Sequence, residues 1–145
     1  MSEKADEKKE WIIKEDEKVK INLFFGEDPY AIGHIVIELK CCKHDISELE
    51  GDDWDILKEW VPKVTKAMKN VLREFMGRET VKLYLCSFNE TPKFPVHFHL
   101  VPRYECETLK GPKLLFYRSK AKQTIPPSVR DAIVREMKKK LGNNH

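Results

Sequence analysis

Apolar and polar positions alternate along several short stretches of this chain, and one long stretch repeats at three and four residues. From Lys18 to Phe25, Val19, Ile21 and Leu23 alternate with Lys18, Lys20 and Asn22, the period of a half-buried strand. Gly33 to Leu39, Gly-His-Ile-Val-Ile-Glu-Leu, reads as the returning strand, largely buried, with Gly26-Glu27-Asp28-Pro29 as the loop between. Thr80 to Phe88 alternates again. After the short loop Asn89 to Lys93 comes Pro95-Val96-His97-Phe98-His99-Leu100-Val101-Pro102-Arg103, a further strand that such a loop pairs antiparallel with the one before it. Trp11-Ile12-Ile13 reads as a first short strand or an apolar anchor, and Leu114 to Tyr117 as a short strand or a helical turn.

The long repeat is Trp54, Leu57, Val61, Val64, Met68, Val71, Leu72 and Phe75, one apolar stripe of an amphipathic helix facing a core. Gly51-Asp52-Asp53 offers its N-cap and Gly77 its left-handed stop, while Pro62 predicts a kink or a split near Trp60. A last helix is expected over roughly Ser128 to Leu141, with Val129, Ile133, Val134 and Met137 on one side and Lys138-Lys139-Lys140 at the end that favours cations. Lys40 to Leu49 is a connector with room for a short helical turn. Repeats and low-complexity linkers are absent. The pattern is α+β: an antiparallel sheet of about five strands with one long helix and a C-terminal helix packed against it. It forms a single domain over 11–145, behind a charged tail, 1–10, expected to be disordered.

Composition changes this picture little. The chain has 145 residues, 35% of them charged, and a net charge of +3, which by itself argues for neither nucleic acid nor membrane. No apolar run approaches the roughly 18–20 residues of a membrane span, and the N-terminus lacks the apolar core of a signal peptide, so a cytoplasmic protein is expected. Cys41, Cys42, Cys86 and Cys106 read as free thiols. Cys41, Cys42 and His44 are too tightly spaced for the usual structural zinc sets, and no metal or cofactor is expected.

Candidate chemistry concentrates on the last strand. Side chains alternate across a strand, so His97 and His99 share one face and Val96, Phe98 and Leu100 the other. A neutral imidazole is a good nucleophile and a proton shuttle, and two on one face can divide those tasks. The spacing alone is equally that of two surface histidines on a half-exposed strand.

The surrounding residues add a resemblance. Val96-His97-Phe98-His99-Leu100-Val101-Pro102-Arg103 resembles the signature of the histidine-triad (HIT) superfamily, three histidines alternating with apolar residues and often followed by Pro-Arg. Phe24 through Ile37, with its Gly33-His34 pair, resembles the family's upstream strand and loop, and the order of elements matches from Trp11 to Tyr104. The resemblance implies a nucleotide hydrolase or nucleotidyltransferase that acts at an α-phosphate through a covalent histidine. His97 would be the nucleophile and His99 its phosphate-contacting partner, with Phe24, Asp28, Ser87, Asn89, Thr91 and Lys93 as substrate-binding candidates. It also implies a homodimer.

The sequence departs from that pattern. Pro95 stands where the first histidine would be, and Gly26 falls where the family has its ribose-binding acid, leaving Glu27 or Asp28 to substitute. The loop before the histidine strand lacks the family's Gly-Gln-Ser/Thr element and offers only Thr91 and Lys93. The zinc that some members hold on a CxxC and histidines including the first of the triad is not implied. These departures keep a rival reading open, a non-catalytic module that binds a nucleotide or a partner. His34 reads as structural, His44 lies in the connector, and His145 is terminal. Lys110, Lys113, Arg118, Lys120 and Lys122 form a basic run, with no acidic residue from Thr108 to Thr124. It reads as solvated surface, with contact to phosphates or RNA as the alternative.

Overall fold

The computed structural model describes residues 9–24, 32–120 and 125–142, with only the backbone at 119 and 120. Five strands, β1 (Ile12–Glu15), β2 (Val19–Leu23), β3 (Ile35–Leu39), β4 (Thr80–Cys86) and β5 (His97–Tyr104), form one antiparallel sheet in the order β1-β2-β3-β5-β4. Among the described residues, a short 3-10 turn (Ile46–Glu48) and three long helices accompany it: α1 (Gly51–Met76), α2 (Gly111–Lys120) and α3 (Pro127–Lys140). The α+β architecture is therefore the one that the hydrophobic pattern predicts. The histidine strand β5 is central, paired with β3 through His99↔Val36 and with β4 through His99↔Cys86.

Register divides the sheet into two faces. Opposed residues on neighbouring strands share a face. Val19, Ile21, Leu23, Ile35, Ile37, Leu39, Phe98 and Leu100 thus lie on one face, and all are buried there against α1 and α3. The other face carries Asn22, Val36, His97, His99, Val101, Arg103, Cys86, Tyr84 and Lys82.

Helix α1 begins and bends differently from expectation. Its N-cap is Glu50, one residue earlier than predicted, where the Asp53 carboxylate accepts the Glu50 N–H at 2.9 Å. It ends as predicted, at Gly77 with φ of 61°. Pro62 does not split it: the helix runs continuously for 26 residues. Pro62 is exposed, so the carbonyl it cannot bond faces water, and Leu57, Trp60, Val64, Ala67 and Met68 hold both halves on the sheet. The buried arc includes Trp60 in place of Trp54 and Phe75, each 47% exposed. Trp54, at the start of the helix, still reaches Phe98 on β5 at 6.3 Å between ring centroids.

The stretch Leu114 to Tyr117 belongs to a ten-residue helix, α2. Arg118, read as part of a solvated basic run, is buried. β3 starts opposite Leu100, so the Pro102 carbonyl lies beyond the β3–β5 ladder, and Arg118 Nη1 donates to it at 2.9 Å. The same guanidinium pairs with Glu107, Nε to Oε2 at 3.1 Å. A fully charged side chain is tolerated inside because both its Coulombic and its hydrogen-bonding needs are met. Among the described residues, no helix is long and apolar enough to cross a membrane.

Candidate functional site

His97 begins β5 and is held by its own main chain. Beyond Cys86 the β4–β5 ladder stops, and two side chains continue it. Ser87 Oγ donates to the His97 carbonyl at 2.8 Å, and the His97 N–H donates to Asn89 Oδ1 at 3.0 Å. Asn89 Nδ2 donates in turn to Ser87 Oγ at 2.7 Å. Asn89 adopts φ of 52°, a left-handed conformation that Asn tolerates better than most residues. Ser87 and Asn89, named from the sequence as substrate-binding candidates, thus bond one another and the backbone of His97. The ring of His97 is fixed locally as well, its Nδ1 lying 3.0 Å from the Pro95 carbonyl. Proline at 95 costs no ladder bond, because β5 begins two residues later and Val96 supplies the contacts to the connector, its N–H donating to Lys43 O.

His99 is 9% exposed and sits among rings. His97 lies 5.2 Å away between centroids, Phe88 6.0 Å and Phe24 6.1 Å. Its Nδ1 is 2.8 Å from Nε2 of His34, one ring donating and the other accepting. Phe24 stacks flat on His34 at 4.4 Å. Burial, with lesser contributions from His99 and Arg118, holds the His34 pKa well below the usual imidazole value. Burial and then the neighbouring His97 bring His99 down to about 4. Both imidazoles are therefore neutral at pH 7.

Gly33 explains how His34 reaches this position. Its φ is +93°, and a Cβ there would meet Leu72 Cδ2 at 2.8 Å and the Tyr104 hydroxyl at 3.2 Å. That hydroxyl donates to the Ile32 carbonyl, clamping the chain just before the histidine. The Gly-His pair is a backbone requirement followed by a buried imidazole, so the structural reading of His34 holds and is also too narrow. His34, Phe88 and Cys86 join the site without having been singled out for it. Phe88 was within reach of sequence reasoning, since it lies two residues beyond Cys86 in the same alternation.

The remaining candidates divide. Thr91 is half-buried, accepting the Lys93 N–H at 3.3 Å, and Lys93 is exposed. Asp28, with Gly26 and Glu27, lies outside the described residues, as do 1–8 of the charged tail and His145. His44 is exposed, its Nδ1 2.9 Å from the Phe94 carbonyl, and braces the connector against the loop before β5. Among the described residues no group of three or more His, Cys, Asp or Glu is arranged to hold a metal. A groove of about 940 Å³ lies elsewhere, between α1 and the β1–β2 turn, lined by Asp16, Lys40, Asp52 and Trp60.

No family model matches the sequence, and no curated protein matches it. Solved structures do match. A Sulfolobus tokodaii chain described as a hypothetical histidine triad nucleotide-binding protein is 17% identical, with a TM-score of 0.63 over 92% of this chain and 84% of its own. A HIT-like protein of Bartonella henselae, described as involved in cell-cycle regulation, is 19% identical, with a TM-score of 0.61 over 90% and 86%. A zinc-bound histidine triad family protein of Mycobacterium smegmatis is 16% identical, with a TM-score of 0.60 over 92% and 84%. Identity this low speaks to architecture, and on that footing the chain has the fold of the histidine-triad proteins.

Proposed function

We propose that this chain takes a nucleotide derivative on the histidine face of its sheet and cleaves it at the α-phosphate through a covalent nucleotidyl-His97. The supporting observation is the approach of His97 Nδ1 to the Pro95 carbonyl. A carbonyl only accepts, so Nδ1 carries a proton, and in the neutral ring the lone pair then lies on Nε2. That lone pair attacks phosphorus. The P–N bond forms as the bond to the leaving group breaks, and the leaving group departs with the electron pair. Water then attacks the same phosphorus and His97 leaves. In this reading His34 Nε2–H donates to His99 Nδ1, so that His99 presents Nε2–H to a non-bridging phosphoryl oxygen. Phe24 and Phe88 border the base, Thr91 and Lys93 meet the phosphates, and Asp28 the ribose.

The test is a rapid-quench reaction with enzyme in excess over a nucleotide phosphoramidate or a dinucleoside polyphosphate. Intact mass should reveal a nucleotidyl adduct on the wild type and none on His97→Ala. Equal, slow product release by both proteins sinks the proposal.

One observation favours a second reading, a module that binds without turnover. Ser87 and Asn89 are committed to the main chain of His97, which leaves the loop short of groups to help a leaving group depart. Nucleotide binding with no product from any member of the panel would establish that reading.

A homodimer belongs to the same proposal. β4 is an edge strand with one side unpaired, and Leu85 (52% exposed) and Val81 leave apolar surface along it. A second copy would cover both the open edge and that surface.

A further inference from the structure

The histidine face does not end at His99. Continuing along it, the row Val101/Tyr84 is followed by Arg103/Lys82, and α2 is seated over the first of these rows. The Gly111 N–H donates to the Tyr84 hydroxyl at 2.7 Å, and Leu114 and Arg118, four residues apart, form the buried side of the helix. The opposite side is therefore defined. Phe116 lies opposite the buried side with Lys113 beside it, and Tyr117, four residues from Lys113, is on the adjoining flank, with Phe116 64% and Tyr117 59% exposed. Lys110 is exposed just before the helix, and the whole segment from Thr108 to Thr124 lacks an acid. Glu107, the nearest carboxylate in sequence, is neutralised by Arg118. Arg103 carries a shielded Nε with no hydrogen-bond partner among the described residues, a donor left over on the face that holds the histidines.

Cations beside outward aromatic rings suit one kind of partner above others. A single strand of nucleic acid offers phosphates to the lysines and base faces to the rings, and the rings need not select a sequence. An anionic membrane is a poorer match. A helix lying in an interface inserts a continuous apolar face, and the apolar face of α2, with Leu114, is already buried in the protein. We propose that Lys82, Arg103, Lys110, Lys113, Phe116 and Tyr117 form a docking surface for single-stranded nucleic acid. The surface lies across α2 from the histidines and works independently of any turnover at His97.

The probe is a fluorescein-labelled thymidine oligomer of about 12 nucleotides, with its uridine counterpart, titrated by anisotropy. Binding is expected at roughly 50 mM salt and should weaken about fiftyfold by roughly 200 mM, as four phosphate contacts on a single strand dictate. Lys113→Glu should weaken it about tenfold or more, and Tyr117→Ala about fivefold or more. Unchanged melting temperatures would establish that both variants fold. His97→Ala should bind as the wild type does, so a failed docking surface and a failed nucleophile are told apart. The proposal is overturned by no binding at low salt, by binding that both variants retain, or by binding to phosphatidylserine vesicles in place of the oligomers.

Discussion

On one face of the central strand Phe98 and Leu100 meet Ile35, Ile37 and the helices. One residue along, on the other face, His97 and His99 meet His34, Phe24, Phe88 and a cage of hydrogen bonds. The first environment is non-directional: any apolar group of the right volume contributes. The second is directional, because each imidazole has one donor and one acceptor to place, and an unplaced one is costly when buried. Substitutions on the two faces should therefore fail in different currencies, activity on one and stability on the other.

The largest expected effect is on turnover. His97→Ala should lower it by roughly a thousandfold or more, because a covalent step loses its nucleophile, while melting moves little for a half-buried ring. Phe98→Ala is the counterpart: it should cost about 3–5 kcal/mol of stability, read from urea denaturation, through lost burial and the cavity left behind. Equal destabilisation by the two would erase the contrast between the faces.

Acid sharpens it next. His99 has a folded pKa of about 4 against an unfolded value near 6.5, so between these the unfolded chain binds a proton that the folded chain refuses. Stability from this group is complete above the unfolded value and falls as pH drops from there toward 4, by roughly 3 kcal/mol in all. His34 acts in the same direction. Denaturation midpoints at pH 7.5 and 5 should separate more for wild type than for His99→Asn, and equal separations would remove the imidazole pair as the cause.

Asn89 gives a smaller effect. Asn89→Gly keeps the left-handed backbone and loses the amide, so it should lower turnover about tenfold with little change in stability. Wild-type turnover in that variant would mean that the conformation at 89, and not its hydrogen bonds, is what His97 needs. The smallest effect concerns the edge. Leu85→Lys should leave the melting free energy within about 0.5 kcal/mol and convert a dimer to a monomer in sedimentation velocity. A dimer that survives it does not use β4.

The helix-covered face is the one that sequence reads well. Val19, Ile21 and Leu23 alternate because one side of β2 is buried, and that alternation carries its own register. Pro62 misleads, since its cost depends on whether the carbonyl it leaves unbonded faces water. Trp54 and Trp60 exchange places because a heptad-like stripe does not say how far a helix reaches across a sheet. On the histidine face, the pairing of His97 with His99 is legible from a two-residue period. The contact of His34 with His99 spans 65 residues, and nothing local announces it. Arg118 is opaque for a related reason: its burial depends on a carbonyl left unpaired where β3 begins.

Pro95 ends as the most consequential departure from the three-histidine pattern. What orients the ring of His97 is the peptide oxygen of residue 95, an atom every amino acid carries, so the anchor is indifferent to the side chain above it. Proline also fixes its own φ, which reduces the freedom that the oxygen must surrender on folding. Position 95 can thus change identity while the tautomer two residues away is inherited through the main chain. A search for proteins with this ring arrangement is better posed as a test on one backbone oxygen and one Nδ1 than as a count of histidines.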